Sequence, residues 1–465
     1  MLFNSFVFLF AFLPITYFVF WLLRSAEQRY VWLTVTGYVF YGYWNPWFCL
    51  LMLLSTCVSY FAGLGMLRHE DGPARRLFLI VPVAFDLLLL AFFKYANFGI
   101  ETAVDVVRLF GQEVALPRLD IVLPIGISFY TFHTISYIVD AYRRTITPTR
   151  NFFEFTAYVS LFSQLVAGPI VRFRQIEEDL ESLGAAHRTR WLEVGVRFLM
   201  IGFVEKVILA DTIAALIEPA IKNSHQLSTL GAWSAALGYT FQLYFDFSGY
   251  SSMAVGLGYL FGVRIPQNFN SPYMALDPSD FWKRWHISLS TCLRDYLYVP
   301  LGGNRGGSVV TYRNLLLTML IGGLWHGANW TFIVWGSYHG CLLCLYRFGH
   351  EWWDRLPCLA RQATFFLLVV IGWVIFRADN MTMAADWLNR MFLPAAGTMP
   401  PSGAVLAVLL AVAACWSMFG PNAFDLQSRP LSWKLSHVLA YSVVFGASLA
   451  IIAGGRQSPF LYFQF

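Results

Sequence analysis

Ten ionisable side chains sit inside or beside apolar runs: Asp86, Lys94, His133, Asp140, Glu205, Lys206, Asp246, His286, His326 and His339. An ionised group at the centre of a bilayer costs several kcal/mol, so each must be paired or put to use. His326 stands in Gly322-Gly323-Leu324-Trp325-His326-Gly327-Ala328-Asn329. A neutral imidazole there, titrating near neutral pH, can take a proton from a hydroxyl as general base. The flanking glycines leave room for a substrate or for another backbone. A helix-packing histidine bonded to a carbonyl fits the same residues, and the sequence leaves both open.

His286 lies in Asp280-Phe281-Trp282-Lys283-Arg284-Trp285-His286-Ile287-Ser288-Leu289-Ser290, where aromatics and charges interleave at helical spacing. Lys283, Arg284 and Arg294 could hold an anionic donor, or the stretch is an interfacial helix with snorkelling cations; both readings place it at the membrane face. Leu301-Gly302-Gly303-Asn304-Arg305-Gly306-Gly307 could cradle phosphates with Arg305 as counter-charge, or be a plain turn. Its spacing fits neither a Walker loop nor a dinucleotide fingerprint. Asp246, in Tyr244-Phe245-Asp246-Phe247-Ser248-Gly249-Tyr250, pairs with a cation, orients a histidine or bridges helices. The Cys341/Cys344 pair lies in an apolar helical run without strand context, which argues against redox chemistry. With no HxxxH or HExxH spacing, no metal site is expected.

The elements that must position these residues are membrane helices. Of the 465 residues 57% are hydrophobic, 18% aromatic and 13% charged. Soluble domains carry about 25% charged residues, so this chain cannot coat a water-facing surface, and it is too apolar to be disordered. An all-α integral membrane protein is expected, with about ten to twelve spans plus re-entrant segments. The net charge of +5 is spread over loops, which argues for topology and against nucleic-acid binding. Seven cysteines, five of them in apolar runs, read as buried thiols.

The first run, Leu2–Leu23, has no basic residue before it and no cleavage site after it, so it is read as a retained anchor. Basic loops at Arg24/Arg29, Arg68/Arg75/Arg76 and Arg143/Arg144/Arg150 fall on one face, which the positive-inside bias makes cytoplasmic, with the N-terminus outside. Phe152–Ile170 is short, partly polar and broken at Gly168-Pro169, and reads as re-entrant. Trp191–Ile217 and Leu230–Val263 are long enough to span, and Arg264–Arg313 is assigned inward. Asn314–Arg347, 34 residues, would be about 50 Å of continuous helix against a core of roughly 30 Å. It must tilt, break or double back, and the sidedness of the chain after residue 314 stays open. No fixed-period repeat points to a solenoid or an inverted-repeat transporter.

Taken together, Phe281–Ser290, Arg294-Asp295-Tyr296-Leu297-Tyr298, Leu301–Arg305 and Gly323–Gly327 resemble the membrane-bound O-acyltransferase family, in its bacterial polysaccharide branch. Lys94-Tyr95-Ala96-Asn97-Phe98, Leu123-Pro124-Ile125-Gly126-Ile127-Ser128-Phe129-Tyr130, Ala167-Gly168-Pro169 and Tyr244–Tyr250 belong to the likeness, which runs to about residue 380. Beyond it only the Tyr-Phe-Gln-Phe ending stands out.

One polytopic domain over 1–465 is expected, with N-terminal helices 1–90, a core of about 90–380 and C-terminal helices 381–465, and the resemblance implies a ring of tilted helices around a central tunnel. It implies that His326 matches the family's essential histidine and His286 its second. Trp325, Asn329, Lys283, Arg284, Arg294, Asn304, Arg305 and Asp246 are the expected substrate- or donor-binding residues, Asn329 or a backbone N–H holding the oxyanion.

The implied activity is acetyl transfer from a cytoplasmic donor, acetyl-CoA, with no bound cofactor, for O-acetylation of an exported exopolysaccharide of alginate or cellulose type. The expected partners are membrane lipid and a periplasmic acetyltransferase or polymer-export protein, and the expected location is a bacterial inner membrane. D-alanyl or other acyl transfer, a secondary transporter and an export scaffold are the alternatives.

Overall fold

A computed structural model describes residues 1–112, 114, 116–166, 168–185, 188–420, 422–428, 434–455 and 460–461, with side chains left out at 188–191, 426 and 428. Ala167 and the Tyr-Phe-Gln-Phe ending therefore lie outside the described residues. Most of the described residues are helical, and one isolated bridge, Leu227 with Thr398, is the β pairing among them. Trp47–Arg68, Pro73–Leu109, Cys358–Arg377 and Leu435–Ala453 are each long and apolar enough to cross a bilayer. The backbone groups into two compact units, Met1–Trp191 with Gly258–Ile265, and Leu192–Leu257 with Pro266–Phe465.

In the first unit, helices start where the sequence supplies caps. Ser25 and Gln28 form a capping box ahead of Ala26–Gly42, and Asn151 accepts from Phe153 N and Glu154 N ahead of Phe152–Ser160. That second helix has nine residues, about 14 Å, too short to cross; the described residues of 161–172 beyond it are non-helical and buried. The expected re-entrant segment is thus a short helix and an irregular return, with Gln164 Nε2 donating to Tyr158 O and Tyr158 Oη donating to Val171 O. Buried Asp86 accepts from Ser55 and Thr134 hydroxyls at 2.6 Å each. On the Arg264 loop, the Asp179 carboxylate is hydrogen-bonded to the guanidinium at 2.7 Å and raises its pKa further.

The second unit settles the long Asn314–Arg347 run. It doubles back: Gly307–His326 and Trp330–Trp353 form an antiparallel hairpin joined by three residues. The glycines beside His326 make room for backbone. A Cβ at Gly323 would strike the Phe332 carbonyl oxygen and come within 3.2 Å of Gly336, and one at Gly336 would strike the Met319 carbonyl oxygen. The ends of this unit emerge from its contacts. Trp353 Nε1 donates to Leu276 O (2.9 Å) and Asn422 Nδ2 to Asn270 Oδ1 (3.0 Å), so Trp353, Asn422 and residues 270–276 share one end. Asn329 Nδ2 donates to Asp379 O (2.9 Å) and Arg377 to Glu218 (3.0 Å), which define the other.

The expectation of buried cysteines is corrected. All seven are thiols, yet only Cys292 is buried and Cys341, Cys358 and Cys415 are exposed. A cysteine in an apolar helix of a membrane protein can face lipid as readily as the core.

Candidate active site

The residues from 278 to 293 do not form one interfacial helix. Pro278–Arg284 starts on an Asp277 cap, stops at Trp285, and Ile287–Leu293 begins after His286, which adopts a left-handed backbone (φ 44°, ψ 54°). The break turns Phe281, Trp285 and His286 into the protein, each at most 1% exposed. The reading of one interfacial helix carrying His286 on its face is thereby corrected: its neighbours are buried rings, and aromatics that suit an interface serve here as core.

His326 closes the Gly307–His326 helix and is buried. Its ring lies 4.9 Å from Trp325, 5.1 Å from Trp335 and 5.2 Å from Phe376, the last two nearly edge-on. Trp325 in turn lies 6.0 Å from His286, which also meets the Phe247 ring at 4.7 Å. The two histidines, forty residues apart in sequence, therefore flank one tryptophan.

The wall continues through a residue given no role from sequence. His339 is fully buried, with Trp335 at 4.9 Å, Trp282 at 5.3 Å and Phe281 stacked at 6.0 Å. It lies one helical turn beyond Trp335, and that i, i+4 spacing, together with its place among the intramembrane ionisable residues, was the available signal. Trp335, Trp373 and Phe376 had none, being three aromatics among many.

The other candidate residues disperse. Asn329 caps the Trp330–Trp353 helix, accepting from Thr331 N (3.0 Å) while donating to Asp379 O, so both ends of its amide are engaged. Asp246 meets the pairing alternative: Lys206 bridges it to Asp211 in a buried cluster, and its second oxygen accepts from Leu461 N at 3.0 Å. Arg284 pairs with Asp280 (2.8 Å) and Arg294 with Asp295 (2.7 Å), while Lys283 and Arg305 are exposed.

Asn304 lines a cleft of about 520 Å³ with Ser279, Tyr298, Tyr312, Tyr346, Arg347 and His350. The glycine loop beside it is a braced turn: Gly302, Gly303 and Gly307 all have positive φ, and Asn314 Nδ2 holds the Leu301 and Gly303 carbonyls at 3.1 and 3.0 Å.

The arrangement pairs a buried imidazole at the apex of a helical hairpin with a wide polar cleft at the hairpin's other end. Chemically, this suits proton transfer in a water-poor site fed by a ligand with a charged or polar head. Residues 142–378 match MBOAT, the membrane-bound O-acyltransferase family. A Pseudomonas putida protein named "Probable alginate O-acetylase AlgI" is 41% identical over the whole of both chains. The peptidoglycan O-acetyltransferase of Helicobacter pylori is 33% identical over all of this chain and 98% of its own. A Bacillus subtilis teichoic acid D-alanyltransferase is 29% identical over 55% of this chain and 67% of its own. The chain belongs to the membrane-bound O-acyltransferase family and is a multi-pass membrane O-acyltransferase.

Proposed function

We propose that this protein transfers an acetyl group from cytoplasmic acetyl-CoA to a hydroxyl reached from the opposite side, for O-acetylation of an exported exopolysaccharide of alginate or cellulose type. The observation that carries the reading is the hairpin with His326 at its apex and the 520 Å³ cleft at its base. Four tyrosine- and asparagine-type hydrogen-bonding groups, Arg347 and His350 suit the nucleotide and phosphates of CoA. Leu315, at the cleft wall, precedes His326 by 11 residues, about 17 Å of helix, the order of an extended phosphopantetheine arm.

In the reaction, His326 accepts the proton of the acceptor hydroxyl while its oxygen attacks the thioester carbonyl. The new C–O bond forms, the C–S bond breaks, and the CoA thiolate leaves and is protonated. A backbone N–H near the Gly327 turn holds the oxyanion, since Asn329 is committed to capping. The positive-inside bias puts Arg284, Arg294, Arg305, Arg313 and Arg347 in the cytoplasm of a bacterial inner membrane, with the N-terminus periplasmic. A bulky polymer threads poorly into a bilayer, so a periplasmic partner protein is the direct acceptor or delivers the polymer. The Bacillus subtilis relative supports a second reading, with D-alanyl as the group moved.

The test is release of CoA from acetyl-CoA by purified protein in nanodiscs, wild type and His326→Ala, with and without polysaccharide or periplasmic extract. Acceptor-dependent release that vanishes in the variant is expected. Absence of release by folded protein overturns the acetyl-CoA reading; D-alanyl thioester turnover would then select the second, and its absence as well would move weight to transport or scaffolding.

A further inference from the structure

His286 occupies the N-cap position of Ile287–Leu293 but, with its left-handed backbone, places no side-chain atom on the helix's first N–H groups. A residue 18 positions earlier does so instead. Asn268, 1% exposed, accepts from Ile287 N through its backbone carbonyl (3.0 Å) and from Ser288 N through Oδ1 (3.1 Å). The Ser288 hydroxyl donates to the same Oδ1 at 2.9 Å, and Asn268 Nδ2 donates to Ser251 Oγ at 3.3 Å.

These contacts settle which way the amide faces. A backbone N–H can only donate, so the atom opposite Ser288 N must be the oxygen. That same oxygen stands 3.2 Å from His286 Nδ1. An amide oxygen cannot donate, so a hydrogen bond between these two atoms requires the proton on Nδ1. A neutral imidazole has one N–H, which leaves Nε2 with its lone pair.

We propose that Asn268 is the positioning residue of the site: it fixes His286 in the Nδ1–H tautomer and so presents Nε2 as a hydrogen-bond acceptor to the acyl acceptor, whose proton His326 takes. Phe247 and Trp325 hold the ring's plane, while Asn268 decides which nitrogen is basic. The inference rests on the acyl-transfer reading only for its activity arm. Among the described residues, the other titratable or charged groups near His286 include Glu205 and Tyr244, which line the same crevice as Asn268, Arg284 two residues before it and His326 across Trp325.

Two variants and one spectrum form the test. Asn268→Asp keeps an acceptor for both Ser288 N and Nδ1–H but adds a negative charge that favours the imidazolium. Its acid limb of kcat/KM should move up by about one pH unit or more, with kcat within about tenfold of wild type. Asn268→Leu removes the acceptor and should lower kcat about tenfold or more, leaving KM for acetyl-CoA unchanged. In protein with 15N-labelled histidine, the His286 resonances, assigned by their loss in His286→Ala, should report an unprotonated Nε2 in wild type and a mixture of tautomers in Asn268→Leu.

A wild-type pH profile in Asn268→Asp overturns the proposal, because a residue that only caps the helix would be fully replaced by aspartate. A protonated Nε2 in the wild-type spectrum overturns it as well. If Asn268→Leu does not fold, the aspartate variant and the wild-type spectrum still decide. Since the spectrum needs no donor, failure of the acetyl-CoA reading shows separately, as absent wild-type turnover.

Discussion

Two buried polar regions of the second unit are built on opposite plans. In one, Lys206 Nζ lies 2.7 Å from Asp211 and bridges to Asp246, whose other oxygen takes the Leu461 N–H. Its charges are consumed by one another, which ties the π-helical Val204–Ala210 segment to the Thr229–Leu260 helix. In the other, His286, His326 and His339 are wedged among Phe247, Trp325, Trp335, Trp282 and Phe376, with ring centroids 4.7–6.0 Å apart. Ring faces and edges fix an imidazole's plane, and at His286 Asn268 adds a hydrogen bond at Nδ1. The first plan makes a strut, and the second makes a positioned base.

The contrast is sharpest where one plan is asked to do the other's work. The largest effect is expected from His326→Ala: a loss of turnover on the order of 10²–10⁴-fold in the CoA-release assay, with detergent elution and melting temperature unchanged. Lys206→Met should do the reverse. It strands two carboxylates in a buried site and should cost about 3–5 kcal/mol, read as a collapse of folded yield and melting temperature, while any folded fraction keeps its specific activity. A turnover defect in fully stable Lys206→Met protein would erase the distinction.

Gly323→Ala probes the hairpin that carries His326. The added methyl meets the Phe332 carbonyl oxygen and should cost about 1–3 kcal/mol, lowering melting temperature and kcat together because the apex shifts with the helix. Arg347→Ala, at the cleft, should raise KM for acetyl-CoA about tenfold with kcat and stability unchanged. The smallest effect is expected from Asp86→Asn in the first unit. An amide oxygen still accepts from Ser55 or Thr134, so stability should change by less than about 1 kcal/mol.

Some of this was legible residue by residue. Gly168-Pro169 and the polar residues before it announced a backbone that could not be a plain span, and the short Phe152–Ser160 helix with its irregular return is that announcement realised. The length of Asn314–Arg347 demanded a break or a turn but could not choose. The choice was made by small residues on facing sides, Gly323 against Gly336, which let two backbones approach. His286 was misplaced because aromatic and cationic residues at helical spacing look alike at a membrane surface and in a core; only the left-handed backbone at His286 turns the ring inward. Asn268 carried no local signal at all.

The sequence alone determined the solvent, since 57% hydrophobic and 13% charged residues admit only a lipid-facing protein, and its motifs carried the resemblance to the family that the match over residues 142–378 shows. Hydropathy placed His326 among ten ionisable groups without choosing its role, and the roles of His326 and His286 came from the resemblance. Tertiary structure decided which of the polar residues meet: that Asp246 goes to Lys206, that Asn329 goes to a helix cap, that one tryptophan lies between two histidines, and that Asn268 reaches His286. The physical reason is range. Hydropathy and capping act within a few residues and are written locally, whereas a hydrogen bond or ring contact spanning 18 to 40 residues exists only once the helices have packed.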